Sequence, residues 1–497
     1  MNSKRHQSLL TTQVNSLLER MFKPSPIKDA LIDGATTFFA NQPLVEQIGH
    51  ELDEKEQQIN DGKQGKTSVD AKDGSSKGKD NVERRQAQIE ADKANFQQQM
   101  RSERIERHER LTKICYEILE LTEGENFAET NRKSASVLGT IQLLSHTEGS
   151  QIARVNEQHK PLYKAILVLR LLDKLIIDDA IKDSYIQHFL GEVKGEDYKG
   201  FKSIDEEAYK VFESEVKVAV IKAALIQDIG NFHPDAQAIL VGKDEDKDPY
   251  RTLDVGERKS LLQINYRETI RYLADGIGSA DYMGNSKKDR DLFKHQEIRK
   301  LKFIKELLKG AINPKQGLGN LLKVPQIYTS IVLSTKPSYK YKLIPKVYQA
   351  LNQNAERGTC SQRVVDALYA ITGMFPQGFG VVYLALDAAG NSLERYEYAV
   401  VNQLYPSDPE EPRCRIATRQ LTFIGYGSDM TINKSENLYF AESAKRLASM
   451  SRSRLEEILE KLVSNYQERI ELDLIPRCWH PREYFSVREN QKLWNKS

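Results

Sequence analysis

The sequence predicts a mainly α-helical bundle with a small C-terminal antiparallel β-unit and a long N-terminal helical arm, and three observations carry that expectation. From about residue 130 to 375, apolar residues recur at three-to-four spacing in segment after segment, the period of helices that bury one face. From Gly378 to Phe440 the period shifts to that of strands, with turn residues at Asp387 to Gly390 and a proline-rich stretch at 406–412. Val82, Ile89 and Phe96 stand seven residues apart, and Leu111, Ile114, Ile118 and Leu121 follow at three-to-four spacing, so one helix is expected over about 82–121.

A chain of 497 residues exceeds a single core, and composition divides it. Residues 1–50 read as two docking helices: one over 7–23, stopped by Pro24 and Pro26, and one at about 27–40. Residues 51–81 are rich in Gly, Ser, Lys and Asp, with Leu52, Ile59, Val69 and Ala71 as their few apolar side chains. They read as a flexible charged linker, because so little apolar surface does not offset chain entropy. The arm takes 82–128 and the helical domain 129–377. Helices are expected in that domain near 134–145, 160–178, 205–228, 255–274, 288–309, 319–334, 342–356 and 361–373. The β-unit occupies 378–440, with strands at 381–386, 396–401, 414–424 and 430–432, and a last helix to about 464 opens the segment 441–497. The irregular tail behind it carries Trp479 and Trp494, expected to fold back onto the surface. The seam of the arm is interrupted at Glu103 and Arg104, and it serves either packing on its own domain or a homodimer through 82–121.

A net charge of +2 gives no reason to invoke nucleic acid. The most apolar run, Leu162 to Ile177, is interrupted by Lys164, Arg170, Asp173 and Lys174, so no membrane span is expected. The start of the chain shows no secretory signal pattern. Cys115, Cys360, Cys414 and Cys478 form no C-x-x-C pair, which argues against zinc fingers and a disulfide framework. A reducing, cytoplasmic setting is the expectation.

The candidate site lies in Ile221 to Leu240, I-K-A-A-L-I-Q-D-I-G-N-F-H-P-D-A-Q-A-I-L. The first part is apolar on most of its circumference and reads as a core helix ending at Gly230 in a left-handed cap, with Pro234 opening the next helix. Asp228 therefore stands where a buried helix breaks. From there its carboxylate either bonds the backbone amides around Gly230 to His233 or reaches a site.

The stretch A-A-L-I-Q-D-I-G-N, Ala223 to Asn231, resembles the A-A-L-L-H-D-I-G-K core of the HD superfamily of metal-dependent phosphohydrolases, with Gln227 at the metal-binding histidine. Leu321 to Ala350 is similar to the I-L-x-V-A-D-x-Y-D-A-L-T-S-x-R-P-Y segment of the HD-GYP subfamily, with Gln326 at the second metal aspartate. Val364 to Leu384 resembles the end of HD-GYP domains, where a last helix passes through G-x-Y-P-x-G-x-x-V-x-L into a strand. The subfamily's H-H-E-x-x-D-G-x-G-Y-P signature is missing, and the nearest text runs from Glu268 through Asp275 to Gly278 and on to Tyr282, without the paired histidines.

The resemblance implies an HD-domain-like bundle in which histidines and aspartates hold transition metals that turn water into a nucleophile against phosphorus. Gln227 and Gln326 remove two donors and a negative charge from that set, leaving Gln227, Asp228 and Gln326 as vestigial positions. His188, His233 and His295 are the candidate replacement ligands, although His233 beside Pro234 suits a helix start. Three readings stay open. One is a bacterial HD-GYP-like signalling or scaffold pseudoenzyme without cofactor, binding a cyclic dinucleotide or a protein partner. Another is an active manganese- or iron-dependent phosphohydrolase such as a cyclic di-GMP phosphodiesterase, and the third is a structural helical protein that oligomerises through its arm.

Overall fold

The computed structural model describes residues 2–495 except 25, 27, 28, 66–75, 315, 316, 337, 338, 388, 448, 449 and 464–472, and no side chain within 2–8, 60–65 or 76–82. At its centre is helix α5 (Ile152–Ile177), in which every residue from Leu162 to Asp173 is buried. Around it pack α1 (Asn2–Phe22), α4 (Phe127–Leu144), α9 (Val218–Ile226), α13 (Asn320–Val332) and α15 (Gln362–Thr372). A helix apolar on all sides needs neighbours on all sides. Lys164, Arg170 and Asp173, inside the run, must then find their partners within the protein. No helix among the described residues is long and apolar enough to cross a membrane.

The helix expected over 205–228 is two helices, α8 (Glu206–Phe212) and α9, joined by a π-turn over Glu213–Lys217 that buries Lys217. Likewise α11 (Val255–Arg271) ends in a second π-turn, Tyr272–Ile277.

The expected linker over 51–81 is corrected on both flanks. Helix α2 (Leu31–Gly65) runs through Pro43 and on past residue 51, and α3 (Ser76–Thr122) begins before residue 82, while 66–75 lie outside the described residues. The two helices pack side by side as an antiparallel hairpin. Leu52 is buried there, and Lys93 of α3 pairs with Asp53 at 2.7 Å and with Glu56. The hairpin supplies the burial and pairing that the segment lacks when read alone.

The break in the seam at Glu103 and Arg104 marks where the arm docks on the bundle. Arg104 donates to the Ser279 carbonyl at 2.7 Å, Arg107 Nε to Gly276 O at 2.7 Å, and His108 Nδ1 lies 3.2 Å from Gly278 O. Arg101 and Arg104 also pair with Asp281. These groups meet the carbonyls at and beyond the C-terminal end of the second π-turn, which helix geometry leaves without partners.

The β-unit is a five-stranded antiparallel sheet in the order β6-β3-β2-β1-β7, built from β1 (Gly380–Leu386), β2 (Ser392–Val401), β3 (Arg413–Ile416), β6 (Asp429–Thr431) and β7 (Cys478–Trp479). The strand expected over 414–424 breaks after β3 into a small hairpin of β4 (Thr418–Arg419) and β5 (Thr422–Phe423). Gln420 and Leu421, at φ 52° and 60°, make its two-residue turn. β7 comes from the tail and pairs Cys478 with Val381, so the unit does not close at residue 440. Trp479 and Trp494 are buried rather than laid on the surface. The last helix is likewise two, α16 (Ala441–Lys445) and α17 (Arg452–Leu462). Between α15 and β1, Gly378 has a φ of +85°, and a Cβ there would stand 2.8 Å from Gly139 O of α4. That closeness fixes the sheet against the bundle.

Candidate functional site

The exit of α9 sets the position of Asp228. The Gly230 amide donates to Thr269 Oγ on α11 at 3.1 Å, and a Cβ on Gly230 would lie 2.2 Å from Asn265 O. The glycine is needed for this backbone-to-backbone approach, not for a left-handed cap, since its φ is not positive. Asn265 Nδ2 adds a hydrogen bond to the Gln227 carbonyl at 3.3 Å. Held this way, Gln227 and Asp228 point their side chains toward α5 and α13.

Two groups meet them there. Lys164 Nζ of α5 lies 3.0 Å from Gln227 Oε1 and 3.0 Å from Asp228 Oδ2, and Gln326 of α13 donates to Asp228 Oδ1 at 3.1 Å. The Lys164 side chain is 6% exposed, while that of Asp228 is 45% exposed. Lys323, also on α13, faces the same carboxylate. Burial lowers the pKa of Lys323, Asp228 acts against that, and Arg258 adds to the lowering.

The structure thus brings Gln227, Asp228 and Gln326 together. The amides around Gly230 to His233 do not serve the Asp228 carboxylate. Those of Gly230, Asn231 and His233 go instead to Thr269 Oγ, to the Asp228 carbonyl and to the Gly230 carbonyl. The histidines stand elsewhere. His188, on α6 (Ser184–Leu190), is exposed and packs edge-on to Phe189. His233 caps α10 (Pro234–Leu240), its Nδ1 accepting from the Asp235 amide at 3.1 Å. His295 is exposed on α12 (Lys287–Ile312).

A manganese or iron ion does not fit this donor set. Asp228 is its one carboxylate, both amide side chains are engaged in hydrogen bonds, and Lys164 puts an ammonium group where a divalent ion would have to approach Gln227 and Asp228 together. Among the described residues no group of three or more His, Cys, Asp and Glu is placed to hold a metal. A cleft of about 940 Å³ lies between the loops before α6, α13 and α15 and is lined by none of Gln227, Asp228 and Gln326. Compared with protein-family models, with curated proteins and with solved structures, the chain matches none.

Less than two turns further along α5 stands a second polar cluster. Arg170 pairs with Glu123, just beyond α3, and with Asp173 at 3.0 Å. Lys217, from the first π-turn, lies 2.9 Å from Glu123 and 3.4 Å from Asp173. Tyr198 donates to Asp173 at 2.6 Å and Tyr209 to Glu123 at 3.0 Å. Two cations and two anions balance. Burial pushes the Glu123 carboxyl up, but Arg170 and Lys217 outweigh it and hold the group down at about 2.

The sequence reading missed Lys164 and this second cluster alike. The signal is present in the sequence: Lys164, Arg170, Asp173 and Lys174 stand inside the apolar run 162–177. In the core of a helical bundle such charges mark buried partners elsewhere in the chain.

Proposed function

We propose that the chain is a degenerate HD-GYP-like module, working as a non-catalytic signalling or scaffold domain that engages a cyclic dinucleotide or a protein partner. The observation that carries this reading is the placement of Lys164, whose ammonium group bridges Gln227 and Asp228 at 3.0 Å each. In the enzymes that the sequence resembles, the equivalent histidine–aspartate pair shares a metal cation, which generates the attacking hydroxide. A lysine in that place supplies positive charge for the carboxylate but has no open coordination position and activates no water. The substitutions also fit together chemically. Glutamine for histidine provides an oxygen that accepts from Lys164, and glutamine for aspartate provides an amide that donates to Asp228.

Elemental analysis of the purified chain, with manganese titration and a cyclic di-GMP hydrolysis assay, tests the reading. No stoichiometric manganese or iron and no hydrolysis are expected. Stoichiometric metal that is lost in Asp228→Ala, or hydrolysis that the same variant abolishes, would overturn it.

A further inference from the structure

A groove of about 730 Å³ lies where the sheet edge at β7 meets the end of α17 and the loop that follows α13. Its wall is aromatic. Trp479 lies flat on Tyr398, with ring centres 4.6 Å apart and planes 10° apart, and Phe423, 42% exposed, stands 6.0 Å from Trp479. Tyr484 and Phe423 are 5.8 Å apart, and His480 covers Tyr341 at 4.5 Å.

The rim is cationic. Lys340, Lys342, Arg477 and Arg482 line it, all exposed. Arg482 donates to His146 Nε2 at 2.8 Å. Glu148, Asp473 and Glu483 are the acids among the lining residues.

At the inner end, Thr147, Tyr341, His480 and Arg482 also line a small cavity of about 10 Å³, room for roughly one water-sized group. Gln142 forms part of its lining. That side chain is 3% exposed, and neither its Nε2 nor its Oε1 has a hydrogen-bond partner. A buried amide with donor and acceptor both unused is unfavourable, and it marks a place built to meet a polar group.

We propose that this groove binds a small anionic ligand with a flat aromatic ring, the chemistry of a nucleoside monophosphate. The ring lies against Phe423, the exposed ring of the wall, with the buried Trp479 packed behind it, since aromatic faces stack with any heteroaromatic ring. The phosphate meets Lys340, Lys342 and Arg477, and a polar atom of the ligand, directly or through one water, reaches the Gln142 amide. The groove falls within the ~300–1,000 Å³ of small-ligand sites. A nucleic acid strand is disfavoured, because the chain carries a net charge of only +2 and the four cations sit at one groove rather than along a stripe. The inference does not rest on the reading of Asp228.

Calorimetric titration of the full chain with AMP, GMP, CMP and UMP tests it, with ribose 5-phosphate, inorganic phosphate and a short single-stranded oligonucleotide as controls. Saturable binding of at least one nucleotide is expected, together with quenching of tryptophan fluorescence and no comparable affinity for ribose 5-phosphate or phosphate. The doubly substituted Lys342→Glu/Arg477→Glu, at exposed positions that do not threaten folding, should weaken binding about tenfold or more, equivalent to at least ~1.4 kcal/mol. Phe423→Ala and Gln142→Leu should weaken it as well, and Asp228→Ala should leave it unchanged. The proposal is overturned if no nucleotide binds at millimolar concentration, if the Lys342/Arg477 variant binds as the parent does, if ribose 5-phosphate binds as tightly as the nucleotides, or if only the oligonucleotide binds.

Discussion

Two polar clusters less than two turns apart on α5 present the same chemistry in different surroundings. In the first, Lys164 meets a single carboxylate whose side chain is 45% exposed, and in the second Arg170, wholly buried, meets Glu123 and Asp173, exposed by 9% and 2%. Water reaches the Asp228 side of the first set and can replace part of a lost contact there; it reaches neither side of the second. The position resembling a catalytic centre is therefore the more tolerant of change, and the cluster outside any resemblance carries more of the fold. Substitutions that probe this contrast can be ordered by size.

The largest effect is expected from Arg170→Met. It leaves Glu123 and Asp173 buried with Lys217 as their one cation, so unfolding by urea should show a loss of about 3–5 kcal/mol, the usual result of removing one partner from a buried set. A loss as small as that of an exposed pair would erase the contrast. Acid should reveal the same cluster. The Glu123 carboxyl is held at about 2, below its ordinary 4.5, so its contribution is complete above the unfolded-state value and is lost as pH falls toward the folded one. The melting temperature should drop between pH values of about 4.5 and 2, and Glu123→Gln, less stable at neutral pH, should show a flatter dependence in that window.

Asp228→Ala should cost only about 1 kcal/mol, because Lys164 keeps its bond to Gln227 and water reaches the vacated side. Added manganese should not change the melting temperature of parent or variant. The smallest effect belongs to the arm, where Lys93→Ala removes surface ion pairs with Asp53 and Glu56 and should leave the melting temperature unaltered.

Much of this architecture was legible in the sequence. Long periodic segments such as 160–178 and 288–309 became α5 and α12, and the change of period at Gly378 located β1 and β2. The proximity of Gln326 to Asp228 followed from the resemblance alone, since nothing in local spacing joins positions 98 residues apart. What stayed hidden has physical causes. β7 is two residues long and exists only because β1 offers it an edge. The hairpin of α2 and α3 buries a seam that neither helix could bury alone, so composition read one strand of the chain at a time suggested a linker. Lys164 pairs with residues more than sixty positions away, and the same letter in an apolar run serves equally to rule out a membrane span.

The arm also has a mechanical meaning. Beyond Arg104, α3 is clamped: Leu111, Ile114, Cys115, Ile118 and Leu119 are buried in the bundle. Before it, residues 76–103 run alongside α2, a length of about 42 Å at 1.5 Å per residue. In a beam fixed at one end, a load on the free tip bends hardest at the root. The root here is the set of arginine and histidine contacts to the carbonyls of Gly276 to Ser279, so whatever pulls on the tip is felt first where the second π-turn meets the arm.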